Sequence, residues 1–478
     1  MSQAEHRTST ELQQAESNSS PRTTSLSDTT PVDDVEYDVA VIGAGLGGLA
    51  ACIALRRAGL RVVCIEPEPF PHARVGESLD WSSPALIKTL GLPREQLIAD
   101  QIATYKRNIR IKPAGKEPWE GYPGEWLSRW PMKFELVTLQ VDRTKFDQRL
   151  FEIAEGLGTT FIWDRVSAIE NEGKRITACR TKSNRRIRAA WFLDNSGQAR
   201  LFAKHFNVPK YDYGQPKVCL WTYFETTPDN EGTTFYIDAR TDQYLTWIWE
   251  IPITPTVTSI GCIMATEKLK AERENGRETK EILAAEMSKH PRLAQFMKDQ
   301  PDFRLSTCAY RSYVNQYSCG PNWFMLGESA SLPGPLTASG VTAAFRHARE
   351  SAAFIQEAAG RGALSRRQMK AYSMIVNRMG HAFNHSIEKA IYGCTVRNGV
   401  NTLWAQRAYT TFSYPINALY SRLRPHNLTG VVLFTLILDA VWLWIESWAL
   451  AGKVRLKMRQ MRQRLLVRKQ AKTSREAV

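Results

Sequence analysis

The most chemically explicit residues in this sequence are a run of glycines, Gly43-Ala44-Gly45-Leu46-Gly47-Gly48, set between an apolar run ending at Ile42 and an apolar-periodic stretch that closes at Gly59. In that setting Gly43 permits a tight turn, Gly45 lets a pyrophosphate approach the backbone, and Gly48 lets helix and strand pack closely. The helix N-terminus then stabilises phosphate charge. Glu66 ends the next apolar run, where a carboxylate can accept from a ribose 2′-OH. Together these residues read as a dinucleotide site. Farther along, Trp247 and Trp249 stand two residues apart in Trp247-Ile248-Trp249-Glu250-Ile251-Pro252. That spacing puts both indoles on one face of a strand, either as a wall that a substrate cannot pass or as an ordinary core pair.

The elements that must position these residues follow from patterning. Asp38 to Ile42 reads as a buried parallel strand, Leu46 to Ala58 as a helix and Arg61 to Ile65 as a second strand, which makes a βαβ unit. Val141 to Gly156, 278–299 and 339–360 read as helices, Phe161 to Phe192 as a meander, Trp119 to Trp130 as an irregular loop, and 215–265 as an open sheet. Residues 1–34 are polar and read as a disordered leader without a secretory h-region. Thr429 to Leu450 is nearly all apolar but contains Asp439 and Glu446. It is long enough to span a bilayer, yet its polar stripe suits a helix at an interface or packed on the protein better. The net charge is +15 over 478 residues. Ten Lys or Arg and no acid lie between Lys453 and Arg475, with Val454, Met458, Met461 and Leu465 on one helical face. This basic amphipathic tail is read as meeting an anionic membrane surface rather than nucleic acid, the alternative being a docked hairpin with a solvated tail. Eight scattered cysteines form neither a CxxC pair nor a metal spacing, and read as free thiols.

Four further segments carry a resemblance. Gly76-Glu77-Ser78 resembles the "GES" segment of FAD-dependent halogenases. Asp142-Arg143-Thr144-Lys145-Phe146-Asp147 resembles the helix start that follows it, Leu193-Asp194-Asn195-Ser196-Gly197 the "DASG" strand end, and Met325 to Ala330 with Pro335 to Gly340 the second FAD motif. They cover roughly residues 37–350, and imply FAD held by Gly43, Gly45, Gly48, Glu66, Gly76, Glu77, Ser78, Arg143, Glu328, Pro335 and Gly340. The Trp247–Pro252 run matches the WxWxIP signature of flavin-dependent halogenases, although geranylgeranyl reductases carry a related strand. Lys106, within Ala103 to Ile111, resembles the lysine that in this family receives hypohalous acid made from halide, dioxygen and reduced flavin. A lysine suits that role as a compact donor, or as a nucleophile once desolvated. The alternative is a solvated cationic strand, since Arg107, Arg110, Lys112 and Lys116 are near. Backbone donors at Ser339 and Gly340 correspond to the family's halide site.

Two positions depart from the pattern. Glu328 stands where the family has Asp, and Thr337 stands where tryptophan-type members have Glu, which points toward the phenol- and pyrrole-type members.

The fold expected is α/β: a Rossmann-type FAD-binding domain over 35–365 interleaved with a β-sheet substrate lobe at about 101–135 and 205–315, a helical region over 366–426 and the tail at 427–478. The function expected is halogenation, with chloride or bromide, of an electron-rich aromatic or lipophilic substrate, free or carrier-tethered, in secondary-metabolite biosynthesis. FADH2 would come from a separate flavin reductase, and the place would be the cytoplasm, at the inner face of a membrane. The alternative is an FAD-dependent monooxygenase or isoprenoid-lipid reductase without halide chemistry. No metal is expected.

Overall fold

The computed structural model describes residues 36–70, 75–113, 117–129, 131–238, 245–386, 388, 409–423, 425 and scattered positions between 432 and 465. The leader, Cys394 and most of the tail lie outside the described residues.

The first apolar run becomes strand Glu36–Ile42. It pairs in parallel with Val62–Glu66 on one side and Arg186–Asp194 on the other, and Thr160–Trp163 and Trp323–Met325 complete a five-strand parallel core. Val62–Glu66 is buried at every position, as a parallel strand covered on both faces must be. The hairpin Val166–Glu172 and Arg175–Thr181 adds two antiparallel strands. Helices Leu46–Arg57 and Gly340–Glu357 pack together over this sheet.

The second sheet has eight strands in the order Ser331–Leu332, Ser306–Asn315, Lys210–Glu225, Val257–Ala265, Thr246–Pro252, Gly232–Asp238, Asn108–Pro113 and Trp119–Gly121. Alternation divides its side chains between two cores. One face carries Trp221, Trp247, Trp249 and Phe235 and meets Trp81, Leu336 and Tyr414. The other carries Leu220, Tyr236, Ile248 and Ile260 and is covered by Leu283, Met287, Leu293 and Phe296. A small ribbon, Ala103–Lys106 with Thr138–Val141, stands apart from both sheets.

The helix expected over 278–299 is two helices, Thr279–Met287 and Pro291–Asp299. Pro291 lacks the N–H that would continue the first ladder and is suited to the first turn of the next. The segment expected to be irregular, Trp119 to Trp130, contains a short strand and a 3-10 turn at Glu125–Ser128. Helix Arg143–Gly156 begins one residue after Asp142, whose carboxylate accepts from the Thr144 and Lys145 N–H groups. Beyond Arg366–Ser386, a wide turn at Tyr409–Ser413 leads into helix Tyr414–Tyr420. The seven described cysteines are free thiols. Among the described residues no helix is long and apolar enough to cross a membrane.

Candidate active site

The glycine turn has the geometry its spacing predicts. Gly43 has φ +96°, and a Cβ on Gly48 would lie 2.0 Å from the Gly43 carbonyl oxygen, so neither position accepts a side chain. Gly45 precedes helix Leu46–Arg57, whose N-terminus has no side-chain cap; its first N–H groups are therefore available to an anion. The Asn195 amide packs on this turn and donates to the Gly43 carbonyl at 3.1 Å. Glu66 is buried, and its Oε2 accepts from the Ala44 N–H at 2.6 Å. Its carboxylate thus braces the turn itself.

Residues 76–78 are the junction of the site. Gly76 has φ +111° and lies against the Arg143 guanidinium. Arg143 donates to the Val75 carbonyl at 2.9 Å and clasps Asp147 with two hydrogen bonds of 2.8 and 2.7 Å. Glu77, 2% exposed, accepts from Tyr223 Oη at 2.9 Å and Ser259 Oγ at 3.2 Å. Ser259 Oγ in turn accepts from Trp249 Nε1 at 3.1 Å. Ser78 Oγ accepts from Lys106 Nζ at 2.8 Å. The side chains of Glu77 and Ser78 therefore bind the protein's own interior, tying the tryptophan strand and the lysine to one short turn.

Lys106 is not part of a solvated cationic strand. It is 2% exposed, because the chain bends at Arg107, which turns outward to Glu231 and Glu135. Lys106 Nζ also donates to the Leu79 carbonyl at 3.1 Å and lies 4.4 Å from the centre of the Trp81 ring. Burial brings its pKa down to about 7, with the Asp80 carboxylate opposing that fall. Near neutral pH it exists as both ammonium and amine. The Trp81 ring meets Tyr414 of helix Tyr414–Tyr420 at a tilt of 46°, with centroids 4.8 Å apart.

Trp247 and Trp249 are both buried, with ring centroids 6.0 Å apart. The Trp249 ring lies over Gly261, its cross-strand partner, where a Cβ would come within 2.1 Å. In the Pro335–Gly340 segment, Ala338 has φ +55°, and Ser339 precedes helix Gly340–Glu357 without capping it. Gly340 is exposed, with open space where a Cβ would stand. Pro335 and Glu328 are also exposed. The donor set fits a dinucleotide: two uncapped helix starts, one glycine turn that excludes Cβ atoms, and open backbone at Gly340.

Sequence reasoning passed over Asp80, Trp81 and Arg346. Asp80 and Trp81 directly follow Ser78-Leu79, so their closeness to the lysine turn was in the sequence. Arg346 gave no signal, because long-range packing alone buries it.

A family model described as tryptophan halogenase matches residues 131–420, and one described as FAD dependent oxidoreductase matches residues 38–205. A tryptophan 2-halogenase of Chondromyces crocatus is 28% identical over 331 residues, which are 66% of this chain and 60% of the relative. A 1H-pyrrole-2-carbonyl-(peptidyl-carrier protein) chlorinase of Pseudomonas fluorescens is 24% identical over 420 residues, 82% of this chain and 86% of the relative. Among solved structures, flavin-dependent brominase Bmp2 superposes with TM-score 0.63 at 18% identity, covering 90% of this chain and all (100%) of that one. Halogenase PltM in complex with phloroglucinol and FAD gives 0.64 at 15% identity, covering 84% and 86%. At these identities the structural likeness shows the fold.

Proposed function

The chain belongs to the tryptophan halogenase family, and from that premise we propose that it is an FAD-dependent halogenase in which Lys106 delivers the electrophile to an electron-rich aromatic substrate. The observation that carries this reading is the placement of Lys106: a buried amine turned inward and hydrogen-bonded to Ser78, on the turn that also anchors Trp249 through Glu77 and Ser259. Gly43, Gly45, Gly48, Glu66, Arg143 and Gly340 would hold FAD, directly or by shaping its turns, and Ser339 with Gly340 would hold the halide. When bound and reduced, FAD supplies with dioxygen and halide the hypohalous acid. Lys106 then presents an N–H donor, or its amine, to that acid. Trp247 and Trp249 keep bulk water and substrate away from the flavin side. The eight-stranded sheet serves as the substrate lobe. Thr337 in place of the tryptophan-type Glu, as in phenol- and pyrrole-type members, together with the likeness to the chlorinase, favours a small aromatic substrate, free or tethered to a carrier.

The test is a reaction with FAD, a flavin reductase, NADH, bromide and an electron-rich phenol, followed by mass spectrometry. Brominated product from the wild type, lost in Lys106→Ala with FAD still bound, supports the reading. A hydroxylated or reduced product independent of Lys106 would replace it with the monooxygenase or reductase alternative.

A second reading concerns the tail. Its described positions are helical, and Leu433, Leu436, Leu443, Leu450, Met458, Met461 and Leu465 are exposed. Asp439 pairs with Arg378, and Trp444 meets Phe412 edge-on at 5.7 Å, which fixes the helix to the body. Exposed apolar side chains interleaved with Lys and Arg suit an anionic bilayer surface, and we read residues 427–478 as a peripheral membrane contact on the cytoplasmic side.

A further inference from the structure

Asp80 is fully buried at 0% exposure. Its Oδ1 accepts from the Ser82 N–H at 2.8 Å and the Ser82 hydroxyl at 2.5 Å, whereas its Oδ2 has no partner. Asp80 lines a cavity of about 20 Å³ together with Ser339, Thr342, Arg346, His347 and Asn417, which is room for about one water. Arg346, 1% exposed, spends its terminal nitrogens on Met379 Sδ, Asn417 and Ser421, and its Nε has no partner. A carboxylate and a guanidinium, each with one buried atom that has no hydrogen-bond partner, thus belong to residues lining one cavity. The same turn supplies two acceptors to the Lys106 ammonium, Ser78 Oγ and the Leu79 carbonyl. Thr138, the cross-strand partner of Lys106, donates to the Asp80 carbonyl at 2.8 Å.

We propose that Asp80 is a positioning residue for Lys106: its backbone continues the turn that holds the ammonium, and its buried carboxylate, not hydrogen-bonded to the lysine, sets the charge of the interior the lysine enters, with Arg346 lining the same water-sized cavity. The other charged or titratable groups around the pair are engaged elsewhere or neutral, apart from Arg346. Glu77 is turned to Tyr223 and Ser259. Glu350 pairs with Arg349 at 2.7 Å. His347 is held neutral, with burial lowering its pKa to about 3. Tyr414 donates to the Thr337 carbonyl at 3.4 Å and packs on the Trp81 ring that lies beside the lysine. Arg346 lines the same cavity as Asp80, and its ring-side neighbour is Tyr420, 4.9 Å from the guanidinium carbon to the ring centre. Asp80 is therefore the carboxylate placed to balance the lysine's charge. The cavity also brings Asp80 together with Ser339, the candidate halide position.

This inference rests on the reading of Lys106 as the working lysine, and its test does not use halogenation. Lysine side chains labelled with carbon-13 at Cε are titrated by NMR in the FAD-loaded chain, and the Lys106 signal is assigned by its loss in Lys106→Met. In Asp80→Asn the midpoint falls by about one pH unit or more, and Asp80→Glu restores it toward the wild-type value. An unchanged or higher midpoint in Asp80→Asn overturns the proposal. A double-mutant cycle in thermal unfolding below pH 7 supplies the second measurement. Asp80→Asn lowers Tm more when Lys106 is present than in the Lys106→Met background. Equal losses, or failure to fold in both backgrounds, mean that the carboxylate serves only its own turn, and overturn the proposal. Failure to fold only with Lys106 present supports it. If the coupling holds and no bromination occurs, the functional reading fails and the electrostatic one stands.

Discussion

Ser78 and Lys106 meet at 2.8 Å between Oγ and Nζ, and that contact ties the lysine to the turn whose preceding residue, Glu77, supports Trp249. Burial holds the lysine pKa near 7, against about 10.4 in an unfolded chain. Between those values the unfolded state binds more protons, so stability rises with pH across the window, and the lysine's cost is greatest below about pH 7. Lys106→Met is therefore expected to stabilise the chain at pH 6 by up to roughly 4–5 kcal/mol, with the gain fading as pH approaches 10.5. Halogenation falls at least about 100-fold in the same variant. Urea unfolding at several pH values, beside the bromination assay, checks both halves.

Arg143→Met leaves the Asp147 carboxylate buried without its cation. The expected cost is about 3–5 kcal/mol, accompanied by weaker FAD binding, because the guanidinium also holds the Val75 carbonyl next to Gly76. Thermal unfolding and a flavin fluorescence titration read the two effects separately. A variant with unchanged Tm would show that this clasp contributes nothing.

Gly48→Ala drives a Cβ into the Gly43 carbonyl. The turn must open, and the expected result is a chain that purifies without flavin, or with an affinity lowered by at least about tenfold. Gly340→Ala, which meets no atom within 4 Å in the protein, leaves the fold intact; any loss of FAD or halide binding there comes from the ligand side. Comparing the absorbance of bound flavin in the two variants separates these cases.

Trp249→Phe removes the indole N–H from Ser259 while keeping most of the ring. Ser259 keeps Glu77 as its acceptor, so the loss should be about 1 kcal/mol, read as a small shift in denaturant midpoint. Trp249→Ala empties a fully packed site and costs about 3–5 kcal/mol.

Removing residues 427–478 is expected to abolish sedimentation with vesicles containing anionic lipid while leaving bromination of a water-soluble phenol in place. Binding by the intact chain should weaken as salt is raised, since its charged component is screened. Salt-independent binding, or binding retained by the truncated chain, would contradict the membrane reading.

The parts of this molecule that were legible in the sequence are those in which local spacing and chemistry coincide. Gly43 to Gly48 with Glu66, and Asp142 at the start of helix Arg143–Gly156, sit where their patterns put them, because turn geometry and capping depend on neighbours a few residues away. The halves of the 278–299 segment were separable at Pro291, a signal present but outweighed by the run of helix formers around it. The role of Lys106 was read from the family resemblance and not from patterning, since its cationic neighbours left an exposed strand as the alternative; what turns it inward is the bend at Arg107 and the distant partners Glu231 and Glu135. Arg346 was silent, since its burial depends on Asn417 and Ser421 some seventy residues onward.

The nucleotide turn is finished by residues far from it in the chain. Asn195 packs over Gly43 and Gly48, and Ala344 comes within 3.3 Å of where a Gly47 Cβ would stand. During synthesis the last wall of the glycine run emerges nearly 300 residues after the run itself. At about 5–20 residues per second that is a delay of roughly 15–60 s. Until then the glycine turn lacks one wall, while the buried strands Glu36–Ile42 and Val62–Glu66 that flank it are already made.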